Sequence, residues 1–128
     1  MPGTLFFDGG CGMCTRARNV LLKLDRTGEL DTEPFQRPDA AERLGVSAAR
    51  LPESVWWLDA SGQVFAGAEA ANAALAAAIG TKLPLRVYRL PGIRRVEDAV
   101  YRWVSAHRDR FPGTTPYCES DPAGCGSA

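Results

Sequence analysis

The segment Leu5-Phe6-Phe7-Asp8-Gly9-Gly10-Cys11-Gly12-Met13-Cys14 constrains the fold of this chain more than any other. Three successive apolar residues suit a strand buried on both faces, and Asp8-Gly9-Gly10 ends it at a tight turn. From Cys11 the period changes. Cys14, Ala17, Leu21 and Leu24 recur at intervals of three and four while Arg16, Asn19 and Lys23 fall opposite, which predicts an amphipathic helix to about Asp25. A strand that feeds such a helix needs a parallel neighbour and a right-handed crossover, so the first half of the chain is predicted to be β-α-β.

The remaining segments complete the plan. Leu30–Phe35 supplies the second strand, with Pro34 and Pro38 holding it near a sheet edge, and a short helix follows over Ala40–Leu44. Val55-Trp56-Trp57-Leu58 is the strongest strand signal, and Asp59-Ala60-Ser61-Gly62 turns it into Gln63-Val64-Phe65 as an antiparallel hairpin. The two indoles point to opposite faces, one toward the core and the other toward a groove. Ala68–Ile79 reads as an alanine-rich helix with Ala71, Leu75, Ala78 and Ile79 against the sheet, closed by Gly80. Pro84 starts a short helix through about Leu90. After Pro91-Gly92 a longer helix carries Val96, Val100, Trp103, Val104 and His107 as a stripe expected to face the core and cover the sheet, with His107 a hydrogen-bonded core residue.

The result is an α/β sandwich of β-α-β plus β-β-α with additional C-terminal helices, the thioredoxin-like plan. At 128 residues, 45% apolar and 23% charged, the chain fits one domain. Residues 1–113 are assigned to it, and 114–128, crowded with Gly, Pro, Thr and Ser, to an irregular Cys-containing tail.

Fifteen basic and fifteen acidic residues cancel without forming a basic stripe, which argues against a nucleic-acid partner; Arg94-Arg95 reads as a solvated face. The first residues lack the basic and apolar regions of a secretory signal, and Ala73–Ile79, the longest apolar run, is far short of the roughly 20 residues of a membrane span. A cytoplasmic protein is the expectation. In that reducing compartment four cysteines are more readily catalytic or metal-binding than structural.

Cys11 and Cys14 stand where the strand becomes the helix. The unpaired amides and dipole of a helix N-terminus favour the Cys11 thiolate, and Cys14, one turn on, is near enough to close a disulfide and partly shielded. Cys11 is thus the candidate attacking sulfur and Cys14 the resolving thiol, with an external electron donor resetting the pair. Asp8 is the third candidate: it can hold the turn amides or relay a proton to Cys14. Chance core cysteines, a zinc site built from all four cysteines, an aspartyl-phosphate chemistry at Asp8 and a non-catalytic binding module are the competing readings. Cys118 and Cys125 fit a second zinc knuckle poorly, and Gly10 occupies the place where a second acidic residue belongs in the phosphatase reading. The tail cysteines read as unpaired thiols on a mobile segment or a local disulfide formed only after purification, with a second redox pair that passes electrons to Cys11 and Cys14 as the alternative.

The stretch Leu5 to Cys14 resembles the signature of the DCC family of predicted thiol-disulfide oxidoreductases, named for Asp-x-x-Cys-x-x-Cys. Val55-Trp56-Trp57-Leu58-Asp59 with Gly62, Gly67-Ala68-Glu69-Ala70, and Tyr101-Arg102-Trp103-Val104 through Arg108 to Pro112-Gly113 resemble later family segments in the same order. The resemblance implies a thioredoxin-like fold and disulfide exchange through Cys11 and Cys14, with Asp8 as the third signature position. The expected activity is of the protein-disulfide reductase type, on a disulfide-containing protein or small-thiol substrate, with no bound cofactor and no metal. Thioredoxins carry a cis-proline opposite their cysteines, and Pro52 is the candidate for that place, a trans proline in a loop being the more frequent arrangement of an X-Pro bond.

Overall fold

The computed structural model describes residues 2–110, 113–121 and 125. Four strands, β1 (Gly3–Phe7), β2 (Leu30–Pro34), β3 (Trp56–Asp59) and β4 (Val64–Ala66), form one mixed sheet in the order β2-β1-β3-β4. β1 pairs parallel with β2 and antiparallel with β3, and β3 pairs antiparallel with β4. The expected thioredoxin-like α/β arrangement is present, and Pro34 lies on an edge strand, where a residue without an N–H is tolerated.

Alternation along β1 divides the core in two. Leu5 pairs across with Trp57 on one face, with the alanine helix α3 (Gly67–Ile79) and Leu85 of α4 (Leu83–Tyr88) packed against them. Phe6 pairs with Trp56 on the other face, covered by Phe35, by α2 (Ala40–Leu44) and by Leu51 of a 3-10 turn at Ala48–Glu53. Both indoles are therefore core residues, and neither borders a groove as expected for one of them; Trp56 Nε1 donates to Leu51 O at 3.1 Å.

Two expected helix faces are corrected. On α3 the buried residues are Ala68, Ala70, Ala73, Ala74, Ala76, Ala77 and Ala78, whereas Ala71 is exposed and Leu75 half-buried. Nearly every position there is apolar, so periodicity marks no unique stripe, and the face without long side chains is the one that approaches Trp57. The long helix α5 (Pro91–Ala106) packs on α3 and α4 rather than on the sheet, and its apolar stripe looks outward: Val96, Val100 and Trp103 are 60%, 55% and 56% exposed. Its inner side is polar. Tyr101 Oη accepts from Val55 N–H at 3.0 Å, Glu97 Oε1 from Asn72 Nδ2 at 3.0 Å, and Asp98 Oδ1 from Tyr88 Oη–H at 2.7 Å. α3 already fills the sheet face, so α5 is held by hydrogen bonds to neighbouring elements instead of by its stripe. His107 is not in the core: it is half-buried, its Nδ1 is 2.7 Å from Trp103 O and its ring stacks on the Trp103 indole.

The helix that follows β1, α1 (Gly12–Leu24), buries Cys14 and Thr15 but leaves Ala17 exposed. The tail folds back onto its first turn. Thr114 N–H donates to Gly12 O, Tyr117 N–H to Thr15 Oγ1 at 3.1 Å, and Cys118 N–H to Gly9 O at 2.9 Å. Tyr117 opens the one-turn helix α6 (Tyr117–Ser120), meets Phe7 edge-on, and shares the Arg18 guanidinium with it. Of the two expected states of the tail cysteines, unpaired thiols or a local disulfide, the structure has the disulfide, Cys118 being bonded to Cys125. The expected boundary at 113 thus falls within a segment packed on the cysteine turn, and Pro112 lies outside the described residues. Among the described residues no helix is long and apolar enough to cross a membrane.

Candidate active site

The turn between β1 and α1 is built by its own backbone and one borrowed glutamine. Asp8 Oδ1 accepts from Gly10 N–H at 2.9 Å and from Gln36 Nε2 at 2.8 Å, Gln36 Oε1 accepts from Gly9 N–H, and Cys11 N–H closes the turn onto Asp8 O. Cys11 is the N-cap of α1, in extended conformation, where Ser, Thr, Asp or Asn usually stands. Its sulfur takes the oxygen's part and accepts the Cys14 N–H at 3.3 Å.

The two sulfurs differ. Cys11 is half-exposed and Cys14 is buried, and both are free thiols. Burial pushes the Cys14 thiol up to about 12, and the hydrogen bond and charge of Cys11 act in the same direction. Arg108, in a 3-10 turn at Arg108–Arg110 just beyond α5, opposes them: its Nη1 lies 3.6 Å from Cys14 Sγ and 3.4 Å from Asp8 Oδ2. Burial works against the Arg108 charge, and the Cys14 sulfur and Asp8 carboxylate more than offset it. Beside Cys14 opens a cavity of about 490 Å³, with Met13, Pro52, Val55, Val104 and Arg108 in its wall.

All three residues expected from the sequence converge here, with one change of geometry. Asp8 does hold a turn amide, but its second oxygen reaches Cys14 only through Arg108. Pro52 lines the cavity as a trans residue inside the 3-10 turn at Ala48–Glu53; the described residues contain no cis peptide. His107 is engaged with Trp103. The tetrathiolate alternative lacks its ligands, since Cys118 and Cys125 are joined to each other. Arg108 and Gln36 are the residues that sequence reasoning missed. The signal for Arg108 was its place at the end of the Tyr101–Arg108 segment; Gln36 had none.

Neither a curated protein nor a solved structure matches the chain. Residues 5–114 match the family described as DCC1-like thiol-disulfide oxidoreductase, a span that contains Asp8, Cys11, Cys14 and Arg108 and stops before Cys118. The chain belongs to the DCC1-like thiol-disulfide oxidoreductase family, which supports a general thiol-disulfide oxidoreductase role.

Proposed function

We propose that the protein is a disulfide reductase in which Cys11 attacks and Cys14 resolves, acting on a disulfide-containing protein. The observation that carries this is the asymmetry between a half-exposed N-cap sulfur with an amide donor and a buried sulfur with a guanidinium beside it.

In the first step the Cys11 thiolate attacks one sulfur of the substrate disulfide. A mixed disulfide forms, and the other substrate sulfur leaves as thiolate and takes a proton from water. Cys14 holds its proton at neutral pH because of burial, the Cys11 hydrogen bond and the Cys11 charge. Two of those three causes vanish when Cys11 is bonded to substrate. What remains is burial opposed by Arg108, so Cys14 becomes easier to ionise at the stage that needs it. Its thiolate then attacks the Cys11 sulfur, the Cys11–Cys14 disulfide closes, and the reduced substrate departs and is protonated. The substrate gains two electrons and two protons; a thiol donor restores the pair. Asp8 is a positioning residue that orients Arg108 and the turn.

The largely apolar cavity beside Cys14 supports a protein substrate, because it can receive a side chain flanking the attacked cysteine. The test is substrate trapping. Cys14→Ser expressed in cells accumulates mixed disulfides at Cys11 with a reproducible set of proteins, released by reductant; no capture above a Cys11→Ser control contradicts the reading.

A further inference from the structure

The disulfide Cys118–Cys125 lies beyond the residues that match the family, yet it is built onto the loop that carries Cys11. Cys118 N–H donates to Gly9 O at 2.9 Å, two residues before Cys11. Its sulfur packs against the same glycine so tightly that a Cβ on Gly9 would stand 2.6 Å from it. Cys125 is 3% exposed, whereas Cys118 has the same intermediate exposure as Cys11. A staple for the tail alone does not need a sulfur pressed on the cysteine turn. The chain therefore holds a dithiol and a disulfide against one loop.

We propose that Cys118–Cys125 is a second redox centre that exchanges electrons with Cys11 and Cys14 inside the molecule. This rests on the reading of Cys11 as an attacking sulfur. The Cys11 thiolate attacks Cys118 Sγ, the Cys118–Cys125 bond breaks, and Cys125 leaves as thiolate and is protonated. Cys14, having released its proton, attacks the Cys11 sulfur; Cys11–Cys14 forms and Cys118 leaves and takes up a proton. Two electrons and two protons pass from one pair to the other with no outside reagent. In the reverse direction, once two equivalents of an external thiol entering at the partly exposed Cys118 have reduced the tail and left as their own disulfide, the tail dithiol restores Cys11 and Cys14 after a substrate has oxidised them.

The experiment uses the full chain carrying Cys14→Ser, equilibrated anaerobically, alkylated and mapped by mass spectrometry after proteolysis. The expected product links Cys11 to Cys118 with Cys125 alkylated, in a fraction unchanged over a roughly hundredfold dilution, as an intramolecular reaction requires. The link is lost completely in Cys14→Ser/Cys118→Ser. Absence of the link, or its loss on dilution, overturns the proposal; if oxidised glutathione still forms a mixed disulfide at Cys11 in that sample, the reductase reading survives. If Cys11 reacts with neither, both fall. Wild-type protein reduced to one disulfide supplies a readout independent of any substitution. The expected result is interconversion of the Cys11–Cys14 and Cys118–Cys125 isomers, and persistence of Cys118–Cys125 alone overturns the proposal.

Discussion

Between Asp8 and Thr15 the bonds that shape the cysteine turn join near neighbours, Gly10 to Asp8, Cys11 to Asp8, Cys14 to Cys11 and Thr15 to Cys11, with Gln36 as the exception that reaches Asp8 and Gly9 from outside. The segment from Tyr101 to Tyr117 reaches the same turn across the whole fold, with Arg108 and Cys14 separated by 94 positions and Tyr117 and Thr15 by 102. One region supplies the reacting sulfurs and the other sets what surrounds them. The two can be perturbed separately, because removing a sulfur stops the chemistry whereas changing the distant segment alters only how fast, and how stably, the turn works.

The largest effect is expected on the distant side of the second sulfur. In Arg108→Leu the charged partner of the Cys14 thiolate is lost, a contact of about 1.5–3 kcal/mol, so resolution of a preformed mixed disulfide slows roughly tenfold to a hundredfold. Attack by Cys11 changes far less, and Arg108→Lys recovers part of the loss; stopped-flow kinetics on the two steps separates them. Equal slowing of both steps would show that the two regions are not divided as described.

Gly9→Ala tests how closely the tail approaches. Its methyl would meet Cys118 Sγ at 2.6 Å and Pro34 Cβ at 2.9 Å, and overpacking of this kind costs about 1–3 kcal/mol, read as a lower urea midpoint with unchanged slope. An unchanged midpoint would mean that the tail does not press on the turn.

Cys14 also gives the reduced protein a pH dependence. Below about 9 the thiol is protonated whether folded or unfolded, and its contribution to stability is fully present. As pH rises further the unfolded chain releases this proton while folded Cys14, at about 12, keeps it, so stability falls between those values. Cys14→Ser removes that part of the fall; denaturation at a series of pH values reads the difference, and identical profiles would contradict it.

The last contrast, between the two sides of α5, contains the smallest effect. Tyr101→Phe strands the Val55 N–H and costs about 1–3 kcal/mol, whereas Val100→Ser, on the exposed stripe, stays within about 0.5 kcal/mol. Thermal denaturation ranks them, and the reverse order would return the stripe to the core.

This division also explains what could be read in advance. β1, α1, the Trp56–Ala66 hairpin and the end of α3 at Gly80 are specified by period and by turn residues within a few positions, and Cys11, Cys14 and Asp8 were legible for the same reason. The inward face of α3 was not, because alanine on all sides leaves no stripe to choose. α5 shows a stripe plainly, but a stripe states only that a face is apolar, not which neighbour is free to cover it; Tyr101, Glu97 and Asp98 decided its orientation through contacts that no local pattern encodes. Arg108 belongs to that class, as does the Cys118 contact with Gly9.

The central claim is that the two sulfurs are unlike, and competitive alkylation of the reduced chain at neutral pH measures this directly. With limiting iodoacetamide and peptide mapping, the account predicts that label accumulates on Cys11 while Cys14 is spared. Label on Cys14 first, or equally on both, would contradict it.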